Sequence, residues 1–139
     1  MIKLIIAGGR DFNEYPLLRK ETIQFFMDNF TNFNEEKQCI EIERHEISII
    51  SGQEYISTPG KKHGADYLGE RFAKEFDLPI IPFPADWTTY GKSAGPRRNE
   101  EMAKIATHCI VFWDQQSRGS KNMIENARKY NLILKVVNY

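Results

Sequence analysis

The residues able to do chemistry in this chain cluster at glycine-opened turns beside arginines. The first such turn follows an apolar run, in Lys3-Leu4-Ile5-Ile6-Ala7-Gly8-Gly9-Arg10-Asp11. A strand ending in glycines lets a ligand approach the backbone, where uncovered N–H groups face an anion. Arg10 adds a planar, permanently charged fork suited to phosphate or carboxylate. Comparable turns occur at Ser51-Gly52, at Gly64-Ala65-Asp66, at Phe83-Pro84-Ala85-Asp86-Trp87 and at Trp113-Asp114. The last leads into Ser117-Arg118-Gly119-Ser120-Lys121, the strongest local phosphate candidate. Small hydroxyl residues and a glycine at a helix start leave amides facing outward, and the helix dipole favours an anion there. Ser117, Ser120 and Asp66 serve equally well as helix N-caps, a purely structural role.

A further segment runs Tyr90-Gly91-Lys92-Ser93-Ala94-Gly95-Pro96-Arg97-Arg98-Asn99. Its Gly91-Lys92-Ser93 resembles the end of a Walker A loop, but Asp86 occupies the place of the upstream glycine and no strand precedes it, which excludes a P-loop. The segment reads instead as a glycine-rich loop delivering Arg98 and Asn99 to a helix start. Arg98 there can clamp phosphate or ribose-linked oxygens, and Asn99 offers donor and acceptor to a base or sugar. Trp87, Tyr90 and Trp113 either stack on a nucleobase or fill the core. Asp66, Asp86 and Asp114 either converge on a ribose or metal or are turn residues. His45, His63 and His108 lack metal-ligand spacing, so no metal site is expected. Cys39 and Cys109 have no CxxC partner and read as reduced thiols, with Cys109 in a buried strand. There is no Ser-His-Asp or Cys-His arrangement and no paired carboxylates that spacing alone brings together.

These residues must be held by elements whose pattern is regular. Apolar runs at 2–7, 47–50, 79–83, 108–113 and 132–137 are near-continuous in Ile, Val, Leu and Phe, as in strands buried on both faces. Helical spacing joins Leu68, Phe72 and Phe76, then Met102, Ala103 and Ala106, then Met123, Ile124, Ala127 and Tyr130. This predicts helices over 66–76, 98–107 and 119–130. Another spans 16–30, with Leu18, Ile23, Phe26, Met27 and Phe30 inward and Pro16 in its first turn. Strands alternating with helices predict a Rossmann-like open α/β domain over 1–139, with a mainly parallel five-stranded sheet covered on both faces. Its ligand site belongs at the carboxyl ends of the strands, near a topological switch point. The polar stretch 31–46 is expected to be a solvated helix or irregular connection, and 53–63 an inserted loop poised as a flap. With 139 residues and a formal net charge of zero, the chain has no global field for nucleic acid or an anionic membrane. No apolar run approaches ~20 residues and no signal peptide precedes the first strand, so a soluble cytoplasmic protein is expected.

Taken in order, five motifs resemble the YspA-like branch of the SLOG superfamily, long catalogued as a domain of unknown function in bacteria and phages. They are Ile6-Ala7-Gly8-Gly9-Arg10-Asp11-Phe12, Ser51-Gly52 with Gly64-Ala65-Asp66, Phe83-Pro84-Ala85-Asp86-Trp87, Gly95-Pro96-Arg97-Arg98-Asn99 with Met102, and Phe112-Trp113-Asp114 with Ser117-Arg118-Gly119-Ser120. The resemblance implies a Rossmann-like domain binding a nucleotide or nucleotide-derived ligand, including ADP-ribose-type compounds, across the strand ends. Superfamily relatives include the Lonely Guy phosphoribohydrolases, the DNA-processing protein A family and sensor domains, and pairing of relatives through helices implies a homodimer. Ligand contacts are expected from Gly8, Gly9, Arg10, Ser51, Gly52, Gly64, Asp66, Arg98, Asn99, Gly119 and Ser120, with Trp113 and Arg118 beside them. The chain departs from the family in two places. Gln53 stands where a second glycine would follow Ser51-Gly52, and the Lonely Guy catalytic glutamate position holds Met123, with Glu125 two residues late.

The leading expectation is a binding domain for a nucleotide or its derivative, acting as sensor, sequestering protein or subunit. The alternative is a hydrolase of an N-glycosidic or phosphate linkage, with Asp66, Asp86 or Glu125 as acid or base. A single-stranded DNA-binding module is a second alternative, against which the zero net charge counts.

Overall fold

The computed structural model describes residues 1–29, 31–34, 39–42, 47–53, 56–58 and 61–139. The chain opens with β1 (Ile2–Gly8) and α1 (Tyr15–Asn29), followed by β2 (Thr31–Asn34), β3 (Cys39–Ile42) and β4 (Ile47–Ser51). Next come β5 (Ile56–Thr58), β6 (Lys61–His63), α2 (Ala65–Glu75) and β7 (Ile80–Pro82). The last third comprises the short α3 (Trp87–Tyr90), α4 (Ala94–Ile105), β8 (His108–Trp113), α5 (Arg118–Lys129) and β9 (Ile133–Asn138).

Five of these strands form one sheet in the order β7-β4-β1-β8-β9, and every pairing in it is parallel. The chain works outward from β1 through β4 to β7, then returns to place β8 on the other side of β1. Strand order therefore reverses between β1 and β8, and the crevice at their carboxyl ends is where an open α/β sheet takes its ligand.

Alternation along β1 divides the core. Leu4 and Ile6 join Leu18, Phe26, Phe72, Ile49 and Phe112 under α1 and α2, while Ile5 and Ala7 join Ile50, Met102, Val111, Met123 and Ala127 under α4 and α5. The central strands are buried on both faces, which accounts for their continuous apolar runs. Phe12, just past β1, stacks on Phe112 with ring centroids 5.0 Å apart, joining the β1 turn to the end of β8.

The structure differs from the sequence reading in several elements. Within 31–46, β2 and β3 pair as an antiparallel hairpin rather than a solvated helix. Within 53–63, expected as an inserted loop, β5 and β6 pair antiparallel. Both lie in segments rich in charged and polar residues and carry no continuous apolar run, so the pattern that marks the buried strands is absent there. Helix α4 begins at Ala94, four residues before the expected start, because Pro96 fits a first turn. On α1, Met27 is exposed while Thr22 and Phe25 are buried, and Phe30 lies outside the described residues. No helix among the described residues is long and apolar enough to cross a membrane.

At the opposite end of the sheet His108 opens β8, buried, with Nδ1 2.7 Å from Thr107 Oγ1 and its ring edge-on to Phe25. Burial holds its imidazole below the ordinary value of 6.5. As the pH falls through that value, the unfolded chain takes up a proton that the folded chain refuses, so stability is expected to fall with it. Urea midpoints measured from pH 7 down to about 5 should decline, and the slope should flatten in His108→Gln; an unchanged slope would assign it to other groups.

Candidate anion-binding cleft

A cleft of about 450 Å³ opens at the carboxyl ends of β1 and β8, above the first turn of α5. Its β1 wall is tightly constrained. Gly8 has φ +154°, and a Cβ there would overlap the Phe112 carbonyl oxygen and stand 2.8 Å from Ala65 Cβ. The Gly9 N–H donates to that Phe112 oxygen at 3.2 Å, and the Gly9 carbonyl accepts from Ala65 N at 3.0 Å and Phe12 N at 3.3 Å. The first amide of α2 is thereby consumed by Gly9. Gly64 caps this helix without a side-chain bond, and Asp66 lies inside its first turn instead of at the cap.

Arg98 and Asn99 enter from the second turn of α4. The Arg98 guanidinium donates from Nε to Asn99 Oδ1 at 2.9 Å and from Nη1 to the Gly52 carbonyl at 2.6 Å. A Cβ on Gly52 would stand 2.8 Å from Arg98 Nη1 and 3.1 Å from Asp66 Oδ2, so glycine is what admits this charged pair against the end of β4. Asn99 is buried, and its amide donates to the Gly119 carbonyl at 3.3 Å and to Asn122 Oδ1 at 3.0 Å. Its role is thus to tie Arg98 to the start of α5, rather than to offer an amide to a base.

Helix α5 supplies the third wall. Ser117 is its N-cap, accepting from Ser120 N at 3.4 Å, and the Trp113 indole donates to the Ser117 carbonyl at 3.1 Å. Asp114 Oδ1 accepts from the amides of Gln116 at 2.9 Å and Ser117 at 2.8 Å, which hold its carboxyl below the usual carboxylate range. The amides of Arg118 and Gly119 precede the helix's own ladder and have no partner among the described residues. Ser120 lines the cleft, is 4% exposed, and its buried Oγ has no hydrogen-bond partner among the described residues. Met102 and Met123 supply apolar surface to the cleft lining.

Of the residues expected from sequence, Gly8, Gly9, Arg10, Asp66, Arg98, Asn99, Gly119 and Ser120 line the cleft. Gly52 touches it through Arg98, while Gly64 and Trp113 position its walls. Arg118 is exposed outside the lining, as is Glu125 on the far side of α5. Asp86 caps α3 by accepting from Thr89 N at 3.0 Å, and Trp87 and Tyr90 are exposed away from the lining. Ser51 lies behind the cleft, its hydroxyl donating to Glu70 Oε2 at 2.8 Å and accepting from Gln53 N at 3.2 Å. Gln53 has φ +57°, so it keeps the left-handed backbone that a glycine would take there.

The sequence reading gathers Asp11 with the first glycine turn but leaves it off the ligand contacts, and it does not single out Glu70, a buried acid. Asp11 Oδ1 accepts from the Tyr139 hydroxyl at 3.0 Å, and that tyrosine's ring packs 4.7 Å from Phe12. Burial, then the Asp11 bond, raises the Tyr139 hydroxyl above its ordinary value. Glu70 follows Asp66 by one helical turn, a spacing that puts both acids on the sheet-facing side of α2. Among the described residues the cleft lining contains no His, Cys or Lys, and no group of three or more acids, histidines or cysteines could hold a metal ion. No protein-family model matches the chain, and no curated protein or solved structure matches it significantly.

Proposed function

We propose that the cleft binds a small phosphorylated ligand, a nucleotide or a derivative of one, and that the protein acts as its sensor, sequestering agent or binding subunit. The observation that carries this is the buried, unpartnered Ser120 Oγ in the cleft wall at the start of α5. A buried hydroxyl without a partner costs stability, and an anion seated on the helix N-terminus gives it one. Arg98 and Arg10 stand on the other walls with charge of the matching sign. The order of motifs shared with the YspA-like branch of the SLOG superfamily supports the same reading.

Mass spectrometry of small molecules released from the purified, denatured protein tests it together with thermal-shift titrations of nucleotides and ADP-ribose. A co-purifying phosphorylated compound, or a saturable rise in melting temperature that is lost in Ser120→Ala, is expected. Absence of both would remove the reading. The hydrolase alternative now rests on Asp66, since Asp86 and Glu125 lie outside the lining. Release of free base from AMP, abolished in Asp66→Asn, would favour it over simple binding.

A further inference from the structure

The segment that presents the Gly52 carbonyl to Arg98 is itself held from the α2 side. Ser51 is buried, and its hydroxyl donates to Glu70 Oε2 at 2.8 Å while accepting from the backbone N–H of Gln53 at 3.2 Å. The Ser51 carbonyl accepts from Phe83 N at 2.8 Å, which fixes the end of β4 on the β7 side as well. Gln53 has φ +57°, a left-handed backbone that costs energy for a residue with a Cβ and persists only where its surroundings impose it. Its bond to Ser51 Oγ is one such constraint. A hydroxyl carries a single proton, and giving it to Glu70 leaves the oxygen's lone pairs for the Gln53 N–H. Glu70 therefore sets the polarity of the hydroxyl on which Gln53 rests.

Between Ser51 and Gln53 lies Gly52, whose carbonyl accepts from Arg98 Nη1 at 2.6 Å. That contact has little slack, since a Cβ on Gly52 would stand 2.8 Å from the same nitrogen. Glu70 reaches the segment because its neighbour Gly69 brings α2 close to the sheet, where a Cβ would stand 2.8 Å from Ile6 Cγ2. For stability alone, apolar residues in place of both Ser51 and Glu70 would serve as well. Holding the Gln53 N–H requires the hydroxyl, and orienting the hydroxyl requires an acceptor.

From this we infer that Glu70 is a positioning residue of the cleft: through the Ser51 hydroxyl it fixes the 51–53 segment, and through the Gly52 carbonyl it orients the Arg98 guanidinium. That this orientation serves a bound anion rests on the binding reading above; the orientation itself does not. The chain of bonds needs an acceptor oxygen at position 70, which glutamine offers as well as glutamate.

NMR of the arginine side chains in the free protein reads the orientation directly, because the Arg98 Nε–H donates to Asn99 Oδ1 while the guanidinium is held. Its resonance is expected to persist in Glu70→Gln and to be lost to solvent exchange in Glu70→Ala. Titration with AMP should then give an affinity within about twofold of the parent for Glu70→Gln and about tenfold weaker for Glu70→Ala, as pre-organisation is lost. The tenfold loss should vanish when Arg98→Ala is already present, since the two residues act through one guanidinium. Ser51→Ala removes the hydroxyl with little volume, is expected to behave as Glu70→Ala does, and takes its place if that variant does not fold. An Arg98 signal unchanged in the alanine variants, Glu70→Gln behaving as the alanine does, or an equal loss of affinity with and without Arg98 would overturn the inference and leave the anion site standing. A parent that binds neither AMP nor inorganic phosphate, with an Arg98 signal that still responds to Glu70→Ala, would overturn the binding reading and leave Glu70 as the residue that orients Arg98.

Discussion

Gly8→Ala is expected to cost about 3–5 kcal/mol of stability, enough to consume a large share of what a domain this size has. The added methyl group would overlap the Phe112 carbonyl oxygen and press on Ala65 Cβ, both parts of the rigid frame. Neither can yield cheaply: Phe112 is paired in β8 against β1, and Ala65 is held by its amide bond to Gly9. The φ of +154° adds backbone strain for any residue with a Cβ. Gly119→Ala is the contrasting case, since nothing lies within 4 Å of a Cβ there. In the first turn of a helix that exchange is expected to be neutral or to stabilise by about 0.5–1 kcal/mol. Urea unfolding of the two variants beside the parent reads both effects. A Gly8→Ala midpoint close to the parent's would mean that β1 and α2 separate more easily than their packing implies.

The contrast between these glycines also marks how far the sequence could be read. Gly8-Gly9 announced a strand end correctly, but its glycine requirement comes from protein packing on protein, as β1, β8 and α2 converge. A sequence motif cannot separate that cause from close approach of a ligand, because both need the same missing Cβ. The parallel sheet was legible because burial on both faces leaves continuous runs such as Ile47–Ser51 and His108–Trp113. The two short ladders were not, because they lie in segments rich in charged and polar residues with no continuous apolar run.

Residues of the cleft were found from sequence both at strand ends and at helix starts, but the bonds they make were not legible there. Asp66 looked like a helix cap by its place after Gly64, yet α2 starts two residues earlier than that role requires and its carboxylate lies against Gly52. Glu70 was overlooked because an acid in mid-helix defaults to solvent. Its neighbours Gly69 and Ala73 were the available sign, as small residues on one face mark where a helix approaches a sheet closely. Gly69 lies directly against Ile6 of β1. Asn99 was placed correctly but read for the wrong bonds, since only the packing of α4 on α5 brings Gly119 and Asn122 to its amide.

Arg98→Ala is expected to weaken binding of AMP or ribose 5-phosphate by about a hundredfold or more, in line with the 2–5 kcal/mol typical of truncating a desolvated charged partner. The guanidinium is fixed before any ligand arrives, by Asn99 Oδ1 at 2.9 Å and the Gly52 carbonyl at 2.6 Å. A group held in place loses little side-chain entropy on meeting an anion, so more of its interaction appears as affinity. Arg98→Lys keeps the charge but cannot span Asn99 and Gly52 together, and is expected to recover only a small part of the loss. Fold stability should fall by about 1–2 kcal/mol in both variants because the Gly52 carbonyl loses its donor. Asn99→Ala acts through the same guanidinium, so its effect on binding should be smaller than that of Arg98→Ala and should nearly vanish when Arg98 is already absent. Affinities from titration, set beside melting temperatures for the two single variants and the double, distinguish this from a general loosening of α4. Additive losses would mean that Asn99 and Arg98 contribute separately. Full affinity in Arg98→Ala would make the guanidinium a brace between α4 and β4 and return the anion wholly to the start of α5.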